Sequence, residues 1–518
     1  MANFKPDNIG QREFLTVDYL EVIGTKTFEY SLYRLLERED MLSEFISKYK
    51  NERNGRKAYP PAMLLRVIIL AYYRGITSSR VIASLCKTDL KFMAMAGGEK
   101  PHFTTFSNLV SRYPEAIADV FQKVLMVCDD SGLIGKDHFA IDGCKLPSDA
   151  SKQWSGTHEE LEKKAKKMRE AAKKIIEKHK ANDGKPGSQV NKERELQSID
   201  TLMKNAKKIT DFLSKNEPRM GQGKRPKEVQ SNITDTESAK INAGGHGTFQ
   251  GYVAITTADE LKQVIVHAEA YGMGQEQSTL VPTIEGIEEN LSLDLSKSDT
   301  VITADTGYSS EANMKYLFDK GVDAVVPDGQ FRKRDPYFIN SETYQGHKEK
   351  RKKTRKDKSA SEAVIPASEF TVNVKTKTCI CAAGKALMYH GDREDPVRGT
   401  YLQFRGRLKD CRSCSISGNC MRNKVTGRGR QVSFLDEATK RVTNLDLMKT
   451  KIDSEEGRRQ YAKRMWTIEP VFGNITSNKG LDRFSLRGKA KVTGQWLLCC
   501  LVHNIEKLWC YGSEPQAI

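Results

Sequence analysis

The chain has 518 residues, of which 38% are hydrophobic and 29% are charged. At roughly 100–200 residues per domain, this predicts a soluble protein of several domains, and it excludes both a small disulfide-stapled scaffold and a wholly disordered chain. The 84 Lys and Arg against 67 Asp and Glu leave a formal net charge of +17, which favours a polyanionic partner such as nucleic acid, or an anionic membrane surface.

Targeting and membrane segments are not expected. The start, MANFKPDNIGQ, has no apolar run after a basic cluster, which argues against a signal peptide. The apolar stretches 63–73 and 496–505 are much shorter than the roughly 20 residues that span a bilayer. We therefore expect a cytoplasmic protein without membrane insertion.

The first 135 residues are predicted to be helical. Apolar residues recur every three or four positions in 27–49, 60–75 and 78–94. Brief turns separate these segments, and the stretch HFTTFS at 102–107 follows them, so the region resembles a helix-turn-helix module. Two interpretations stay open: a DNA-binding domain, or a helical bundle that only packs against the rest.

A helical hairpin is predicted between two parts of the core. Its lysine-rich helices, at 159–180 and 192–215, each carry an apolar stripe and are joined by a breaker at 182–187. Residues 161–180 hold nine basic and three acidic side chains. This surface is either a solvated helix face or an arm that lies along DNA phosphates.

A mixed α/β sheet is predicted from the order strand, hairpin, helix, strand, helix, strand, which matches a ribonuclease-H-like core. The strands are expected at 137–146, 251–258, 262–270, 300–305 and 323–326, and the helices at 275–289 and from Ser310. Gly143 is expected to end the first strand. Residues 330–454 are predicted to be basic, loop-rich and irregular, with eight basic and two acidic residues in 348–358, before final helices at 456–475 and 494–507.

Acidic residues stand where these elements end. Asp142 and Asp305 each stand at the end of a predicted strand and precede a small-residue turn, and neighbouring strand ends collect ligand-binding residues in open α/β sheets. With a helical acid such as Glu469, they can hold two Mg²⁺ about 3.5–4 Å apart. On position alone, each aspartate is also explained as a turn former, and Glu469 as an exposed helical residue paired with arginine.

Several blocks of the sequence resemble bacterial insertion-sequence transposases of the DDE type, in the superfamily with a Tyr-Arg-Glu-Lys signature. The blocks are FAIDGCKL, GHGTFQGYVAITTAD, TADTGYSSEAN, RRQYAKRMWTIEPVFGNITSNKGLDRF and RGKAKVTGQWLLCCLVHNIEKL. The resemblance extends from about residue 30 to 510. It implies that Asp142, Asp305 and Glu469 are the catalytic, metal-binding triad, for two Mg²⁺ ions that Mn²⁺ can replace.

The resemblance also implies DNA-binding residues. Tyr461 and Arg464 match the signature residues that contact the backbone of the transposon end. Four residues separate Arg464 from Glu469 where the signature usually has three, and Thr476 stands where its lysine is expected. Lys479, one helical turn further on, is the candidate substitute. Arg487, at the start of the last block, is a further candidate.

The function implied is that of a DNA transposase, associated with the bacterial nucleoid when it is bound to DNA. It would bind the terminal inverted repeats, cleave at the element ends and join the 3′-hydroxyls to target DNA. Its partners would be double-stranded DNA and further copies of itself, as a homodimer or a larger synaptic complex. The alternatives are a non-catalytic DNA-binding protein derived from a transposase, and a ribonuclease-H-like nuclease or resolvase.

Four of the eleven cysteines have a spacing that suits zinc. Cys411-x2-Cys414-x5-Cys420, with Cys381 thirty residues earlier, offers four thiolates for a closed tetrahedral structural site. Cys379 is an alternative fourth ligand. Free buried thiols and a redox role are the competing interpretations of this cluster.

These predictions give the following domain organisation: an N-terminal helical, DNA-binding domain at 1–135, a first core strand at 136–150, a basic hairpin insertion at 151–235, the continued catalytic core at 236–330, a basic Cys-cluster insertion at 331–455, and the last core helices at 456–518.

Overall fold

The computed structural model of the chain describes residues 16–49, 57–182, 189–221, 226–242, 247–342, 364–421 and 427–512. The described residues divide into two units. The first comprises the residues up to Tyr308, Gly321–Ala324 and the residues from Ala462 onward, and the second comprises Ser309–Lys320 and Val325–Tyr461. The predicted basic run at 348–358, and the breaker at 182–187 apart from its first residue, lie outside the described residues.

The N-terminal region is helical, as predicted, but its helices are shorter than the periodicity suggested. Within 16–49 and 57–135 they are α1 Tyr19–Ile23, α2 Phe28–Leu36, α3 Ser43–Ser47, α4 Pro61–Tyr73, α5 Ser79–Thr88, α6 Leu90–Met95, α7 Phe103–Arg112 and α8 Pro114–Asp130. Asp40, with a φ of 64°, interrupts the first predicted helix. Asp89 divides the third, because its carboxylate accepts two backbone N–H groups at the start of α6.

The centre of the first unit is a mixed sheet, which confirms the predicted α/β class. Its strands are β1 His138–Pro147, β4 Ala239–Asn242, β5 Thr248–Asp259, β6 Ile265–Tyr271, β7 Val301–Ala304 and β8 Ala324–Val325, whereas β2 Ser155–Gly156 and β3 Ser231–Asn232 form a separate pair. The order is β4-β5-β1-β7-β8, with β6 also paired to β5. β1 runs antiparallel to β5 and parallel to β7. The predicted hairpin is confirmed, since β5 and β6 are antiparallel.

Gly143 lies inside β1, so the prediction that it ends the strand is wrong. It pairs with Ile255, and the strand continues to Pro147. A Cβ at Gly143 would stand 2.8 Å from a methyl group of Val253 and 2.9 Å from one of Ile255. The position therefore requires glycine because the neighbouring strand packs closely against it, and not because the chain turns there.

The predicted helical hairpin is formed by α9 His158–Asn182 and α10 Gln189–Lys215, which pack against each other. Its buried cluster consists of Leu161, Ala165, Ala206, Ile209 and Phe212. Two residues of the predicted stripe do not join it, because Leu196 is 60% exposed and Met203 is 49% exposed. Among the described side chains, apolar packing is thus concentrated in the half of the hairpin where the chain enters and leaves.

The second unit contains a five-stranded antiparallel sheet, so the prediction of an irregular region is wrong. The strands are β9 Thr371–Asn373, β10 Thr378–Ile380, β11 Ala386–Asp395, β12 Gly399–Arg405 and β13 Gln431–Leu435. They lie in the order β13-β12-β11-β10-β9. Most positions of β11 are exposed, and only Leu387 is buried in that strand, so the alternation of apolar residues that marks a strand is weak in this sequence.

The remaining helices complete the two units. They are α11 Leu280–Leu291, α12 Glu311–Lys320, α13 Pro336–Asn340, α14 Leu408–Arg412, α15 Ser417–Cys420, α16 Asn444–Asp453, α17 Glu455–Gly473 and α18 Lys489–Tyr511. A π-helical turn, Asn474–Asn478, follows α17. The predicted last helix is confirmed as α18, and it is largely buried: the Trp496 indole donates to the Ile255 carbonyl at 3.1 Å, and the Asn504 amide donates to the Ile265 carbonyl at 2.8 Å.

No helix in the described ranges is both long and apolar enough to cross a bilayer.

Candidate active site

Asp142 and Asp305 lie at corresponding positions of two neighbouring parallel strands. In the register of β1 and β7, Ile141 pairs with Ala304, and each aspartate is the next residue along its chain. Paired strands lie about 4.8 Å apart, so the fold brings two acids together that are separated by 163 residues. The two side chains are half-buried.

Asp142 is held by two donors. The Arg464 guanidinium donates to Oδ2 at 2.5 Å, and the backbone N–H of Gly143 donates to Oδ1 at 2.8 Å. The Asp142 side chain is 20% exposed and that of Arg464 is 10% exposed. Burial raises the pKa of Asp142 to about 6; Arg464 and the Gly143 N–H oppose this rise, and the carboxylates of Asp305 and Glu276 add to it.

Asp305 is positioned by the turn that follows β7. Its carbonyl accepts the backbone N–H of Tyr308 at 3.0 Å, which forms the 3₁₀ turn Thr306–Tyr308. The Thr306 hydroxyl donates to Oδ1 of Asp305 at 3.3 Å. The backbone carbonyl and the side-chain carboxylate of Asp305 are therefore both held by contacts within the small-residue turn that the sequence indicated.

Glu469 lies on α17, five residues after Arg464, and is exposed. At 100° per residue, this spacing places it about 140° around the helix from Arg464. The buried face of α17 carries Arg464, Ile468 and Val471. The structure thus brings Asp142, Asp305 and Arg464 together, while Glu469 stands on the solvent-exposed side of the helix that supplies Arg464.

The other signature residues are mostly buried. Tyr461 lies in the second unit, where its ring packs edge-on against Phe331 at 5.4 Å. Lys479 is 6% exposed and forms an ion pair of 2.8 Å with Glu506. Its ammonium also lies 4.9 Å from the centre of the Tyr73 ring.

Arg487 is the exposed member of the set of residues that the sequence predicts to bind DNA. Its side chain is 49% exposed and pairs with Asp149 at 2.9 Å. The guanidinium also donates to the backbone carbonyl of Asp149 at 2.7 Å. Arg487 therefore has both the exposure and the cationic group that contact with a phosphate requires.

Glu276 is a carboxylate at this site that the sequence did not reveal. It stands before the 3₁₀ turn Gln277–Thr279, and its side chain is 11% exposed. Lys145, on β1, pairs with it at 3.3 Å. The signal in the sequence is weak, because a glutamate in the polar stretch GMGQEQST is indistinguishable from a solvent-exposed loop residue.

The donor set suits a hard divalent cation such as Mg²⁺. Carboxylate oxygens are its preferred protein ligands, and the half-buried Asp142 carboxylate interacts electrostatically with the carboxylates of Asp305 and Glu276. Over the described parts of the chain, no three His, Cys, Asp or Glu side chains are grouped closely enough to hold a metal ion. In this arrangement the Arg464 guanidinium supplies the positive charge beside Asp142.

The predicted cysteine ligands line one pocket of the second unit, although among the described residues no three of them are grouped closely enough to hold a metal ion. Cys381, Cys411, Cys414 and Cys420 line one pocket. The backbone N–H of Lys385 donates to the Cys381 sulfur at 3.4 Å, and burial raises the pKa of Cys420. Cys379 instead packs in the apolar cluster with Phe370, Leu387, Leu402, Phe404 and Val432.

Two family models match the chain. A transposase domain model (DUF772) matches residues 18–112, which contain α1 to α7. A transposase DDE domain model matches residues 380–509, which include Glu469, whereas Asp142 and Asp305 precede this match. No curated protein and no solved structure matches the chain significantly. The chain thus carries a match to a transposase domain in each of two separate regions, and these matches support an insertion-sequence DDE transposase.

Proposed function

We propose that this protein binds the terminal inverted repeats of its element, cleaves the DNA at the element ends and joins the freed 3′-hydroxyls to target DNA. The reaction would depend on Mg²⁺, with Mn²⁺ as a substitute. Asp142, Asp305 and Glu469 are the proposed catalytic residues. We further propose that the sheet of the first unit is a ribonuclease-H-like core, divided along the chain as the sequence predicts.

The observation that carries this proposal is the placement of Asp142 and Asp305. Asp142 lies in β1 and Asp305 directly follows β7, at corresponding positions of two neighbouring parallel strands in the interior of the sheet. Open α/β folds collect ligands where such parallel strands end, as β7 does here. The element order supports the same core, since β1, the β5–β6 hairpin, α11, β7, α12 and β8 occur along the chain in the order that the sequence predicts. Glu469 adds support from its inclusion in the DDE-domain match.

The carboxylates would hold the metal ions. Arg464, which now pairs with Asp142, would leave that carboxylate when a metal ion binds to it. When bound at such a site, divalent ions activate a water or a 3′-hydroxyl and stabilise the leaving oxygen. Asp142 can offer Oδ2 to a cation only when Arg464 gives up its hydrogen bond to that oxygen. The released guanidinium would then be suited to a DNA phosphate, which agrees with the role implied for Arg464.

Binding to DNA is supported by charge. The net charge of +17 favours phosphate contact, and Arg487 is exposed for it. Contact by Lys479 would require this residue to exchange Glu506 for a phosphate, because it is buried and paired. We propose transposon ends and target DNA as partners, with a homodimer or a larger complex assembled on the DNA.

The test is an end-cleavage assay with purified full-length protein. Labelled element ends and a supercoiled target are incubated with and without Mg²⁺, and the products are resolved on a denaturing gel. Asp142→Asn, Asp305→Asn and Glu469→Gln are each expected to lose cleavage by at least a hundredfold while they retain DNA binding. The matched control is Asp319→Asn, which neutralises an aspartate whose side chain is 64% exposed.

Three outcomes would contradict this proposal. Normal cleavage by the three variants would remove the catalytic assignment. Binding without cleavage by the wild type in Mg²⁺ or Mn²⁺ would favour a DNA-binding protein derived from a transposase. Cleavage without joined products would favour a nuclease or resolvase.

We also propose that the cysteine pocket holds one structural zinc ion. Four thiols line it, and soft thiolates are the ligands that structural zinc prefers. Cys381 lies between β10 and β11, Cys411 lies in α14 and Cys420 lies in α15, so a shared ion would tie the β10–β11 hairpin to α14 and α15. The support is their common pocket and their spacing.

Metal analysis tests this zinc proposal. Protein purified without chelators should contain about one zinc per chain, and Cys411→Ser together with Cys414→Ser should remove it. Cys379→Ser serves as the control, because Cys379 packs in the apolar cluster and should leave the zinc content unchanged. Absence of zinc from the wild-type protein would overturn the proposal.

A further inference from the structure

Glu276 has a rigid position beside the acidic site. Its carbonyl accepts the backbone N–H of Thr279 at 3.0 Å and the Thr279 hydroxyl at 2.8 Å. The backbone at Glu276 is therefore fixed by two hydrogen bonds. Its side chain, 11% exposed, extends into the protein and away from solvent. A loop glutamate that only contacts solvent would be exposed.

The side chain of Glu276 reaches the segments that carry both aspartates. On β1, Lys145 pairs with Oε1 at 3.3 Å, and a Cβ at Gly143 would stand 3.5 Å from Cδ. In the turn after β7, a Cβ at Gly307 would stand only 2.5 Å from Oε2. Gly143, which follows Asp142, and Gly307, two residues after Asp305, thus leave the space that the Glu276 carboxylate occupies.

The charge of Glu276 acts on the site as well. Its carboxylate lies against Gly143, the neighbour of Asp142, and against Gly307, two residues after Asp305, so its negative charge stands beside both aspartates. The described cations beside these carboxylates are Arg464, paired with Asp142, and Lys145, paired with Glu276. Three carboxylates against two cations leave a local charge of −3 + 2 = −1, which favours a further cation.

We propose that Glu276 is a positioning residue of the acidic site, which braces the Asp305 turn against β1 and adds the negative charge that strengthens cation binding by Asp142 and Asp305. This inference rests on the proposed function. Glu276 lies outside both family matches and outside the predicted triad. It would act through the two aspartates, in the way that residues around metal ligands set the affinity of a site.

The experiment measures Mn²⁺ affinity directly, by isothermal titration of the full-length protein without DNA. Glu276→Gln keeps the shape of the side chain and removes its charge, so binding should weaken by about 10–100-fold, as loss of a residue behind the ligands usually does. Glu285→Gln, an exposed glutamate on α11, is the matched control and should bind like the wild type. Thermal unfolding of each variant reports whether it is folded.

Lys145→Met distinguishes an effect of the Glu276 charge from an effect of the ion pair between Glu276 and Lys145. If the charge of Glu276 matters, removal of its cationic partner should leave Mn²⁺ affinity unchanged or higher. If the residue only forms a structural ion pair, Lys145→Met and Glu276→Gln should weaken binding alike, and that result would overturn the inference. Binding by Glu276→Gln within twofold of the wild type would overturn it too.

Asp142→Asn distinguishes this inference from the proposed function. Weakened Mn²⁺ binding by Asp142→Asn, with normal binding by Glu276→Gln, contradicts the role of Glu276 alone. Normal binding by Asp142→Asn instead contradicts the proposed metal site itself.

Discussion

The ion pair with Asp142 places Arg464 in a different environment from the one that its motif suggests. The family resemblance implies that Arg464 contacts DNA, yet here its guanidinium is buried against a carboxylate at 2.5 Å. A buried cation and a buried anion each lose hydration, so each depends on the other. The motif identified both residues, but nothing in their separation of 322 positions predicted that they meet.

Replacement of Arg464 tests this dependence. Arg464→Met leaves Asp142 buried without its guanidinium partner, and we expect the free energy of unfolding at pH 7.5 to fall by about 3 kcal/mol. Arg487→Met removes an arginine that is 49% exposed, and it should cost less than about 1 kcal/mol. Urea denaturation followed by tryptophan fluorescence measures both. Equal small losses would mean that the buried pair is not a strong contact.

At the scale of elements, β1 is the strand on which the site depends. It pairs with β5 on one side and β7 on the other, and it carries Asp142 at its centre. The sequence identified the start of this strand from its apolar residues. It misplaced the end, because a glycine selected for close packing looks the same in a sequence as a glycine selected for a turn.

A substitution at Gly143 tests the packing requirement. Gly143→Ala would place a methyl group within 2.9 Å of Val253 and Ile255, and we expect it to lower the free energy of unfolding by about 1–3 kcal/mol. Gly473→Ala, in α17, meets nothing within 4 Å and should be neutral or stabilising, since alanine favours a helix. Similar effects of the two substitutions would contradict the close packing at Gly143.

His503 ties α18 to the turn after α17. Its Nδ1 is 3.0 Å from the Asn474 amide, and its Nε2 is 2.8 Å from the Gln263 carbonyl. With one nitrogen accepting and the other donating, the ring is neutral. Burial lowers the pKa of His503 to about 4, an effect that the hydrogen bond to Gln263 only partly offsets.

The lowered pKa of His503 predicts acid sensitivity. Between its ordinary pKa of 6.5 and about 4, the unfolded chain binds a proton at this residue and the folded protein does not. Stability is therefore fully present above pH 6.5 and falls as the pH decreases, by about 1.4 kcal/mol per pH unit. Urea denaturation between pH 4 and 8 should show a shallower dependence for His503→Gln. An unchanged slope in the variant would mean that His503 titrates normally.

At the scale of the whole molecule, charge is the property most directly related to the proposed partner. The hairpin of α9 and α10 carries exposed lysines, which form either a solvated face or an arm along DNA. Packing among its described side chains explains the presence of the apolar stripe, but it does not explain the presence of the exposed lysines. Salt dependence distinguishes these two roles, because each phosphate contact releases counterions.

The test replaces Lys166, Lys167, Lys173 and Lys174 with glutamine. If the hairpin lies along DNA, the slope of log affinity against log salt should become shallower by up to about 3.6, at about 0.9 for each contact. Replacement of the exposed Lys297 and Lys315, outside the hairpin, should leave the slope unchanged. Fluorescence anisotropy with labelled element ends measures the affinity. An unchanged slope for the hairpin variant would favour a solvated face.

Local properties of this protein could be predicted from the sequence alone. Periodicity predicted the N-terminal helices, the hairpin and α18, because burial of one face imposes a repeat that can be counted. Motif blocks identified the family, and the two matching domain models agree with it. Asp142 and Asp305 were selected for their predicted positions at strand ends, which is correct for Asp305 and wrong for Asp142, since β1 continues to Pro147.

Only the tertiary structure decided which distant groups meet. The pairing of β1 with β7 brings Asp142 beside Asp305, Arg464 reaches Asp142 from α17, and Glu276 fits over two glycines. The antiparallel sheet of the second unit was hidden for a related reason, since many of its side chains face solvent and leave little apolar alternation. Contacts of this kind depend on strand register and on the space that neighbouring backbones leave, and neither is encoded in a local pattern of residues.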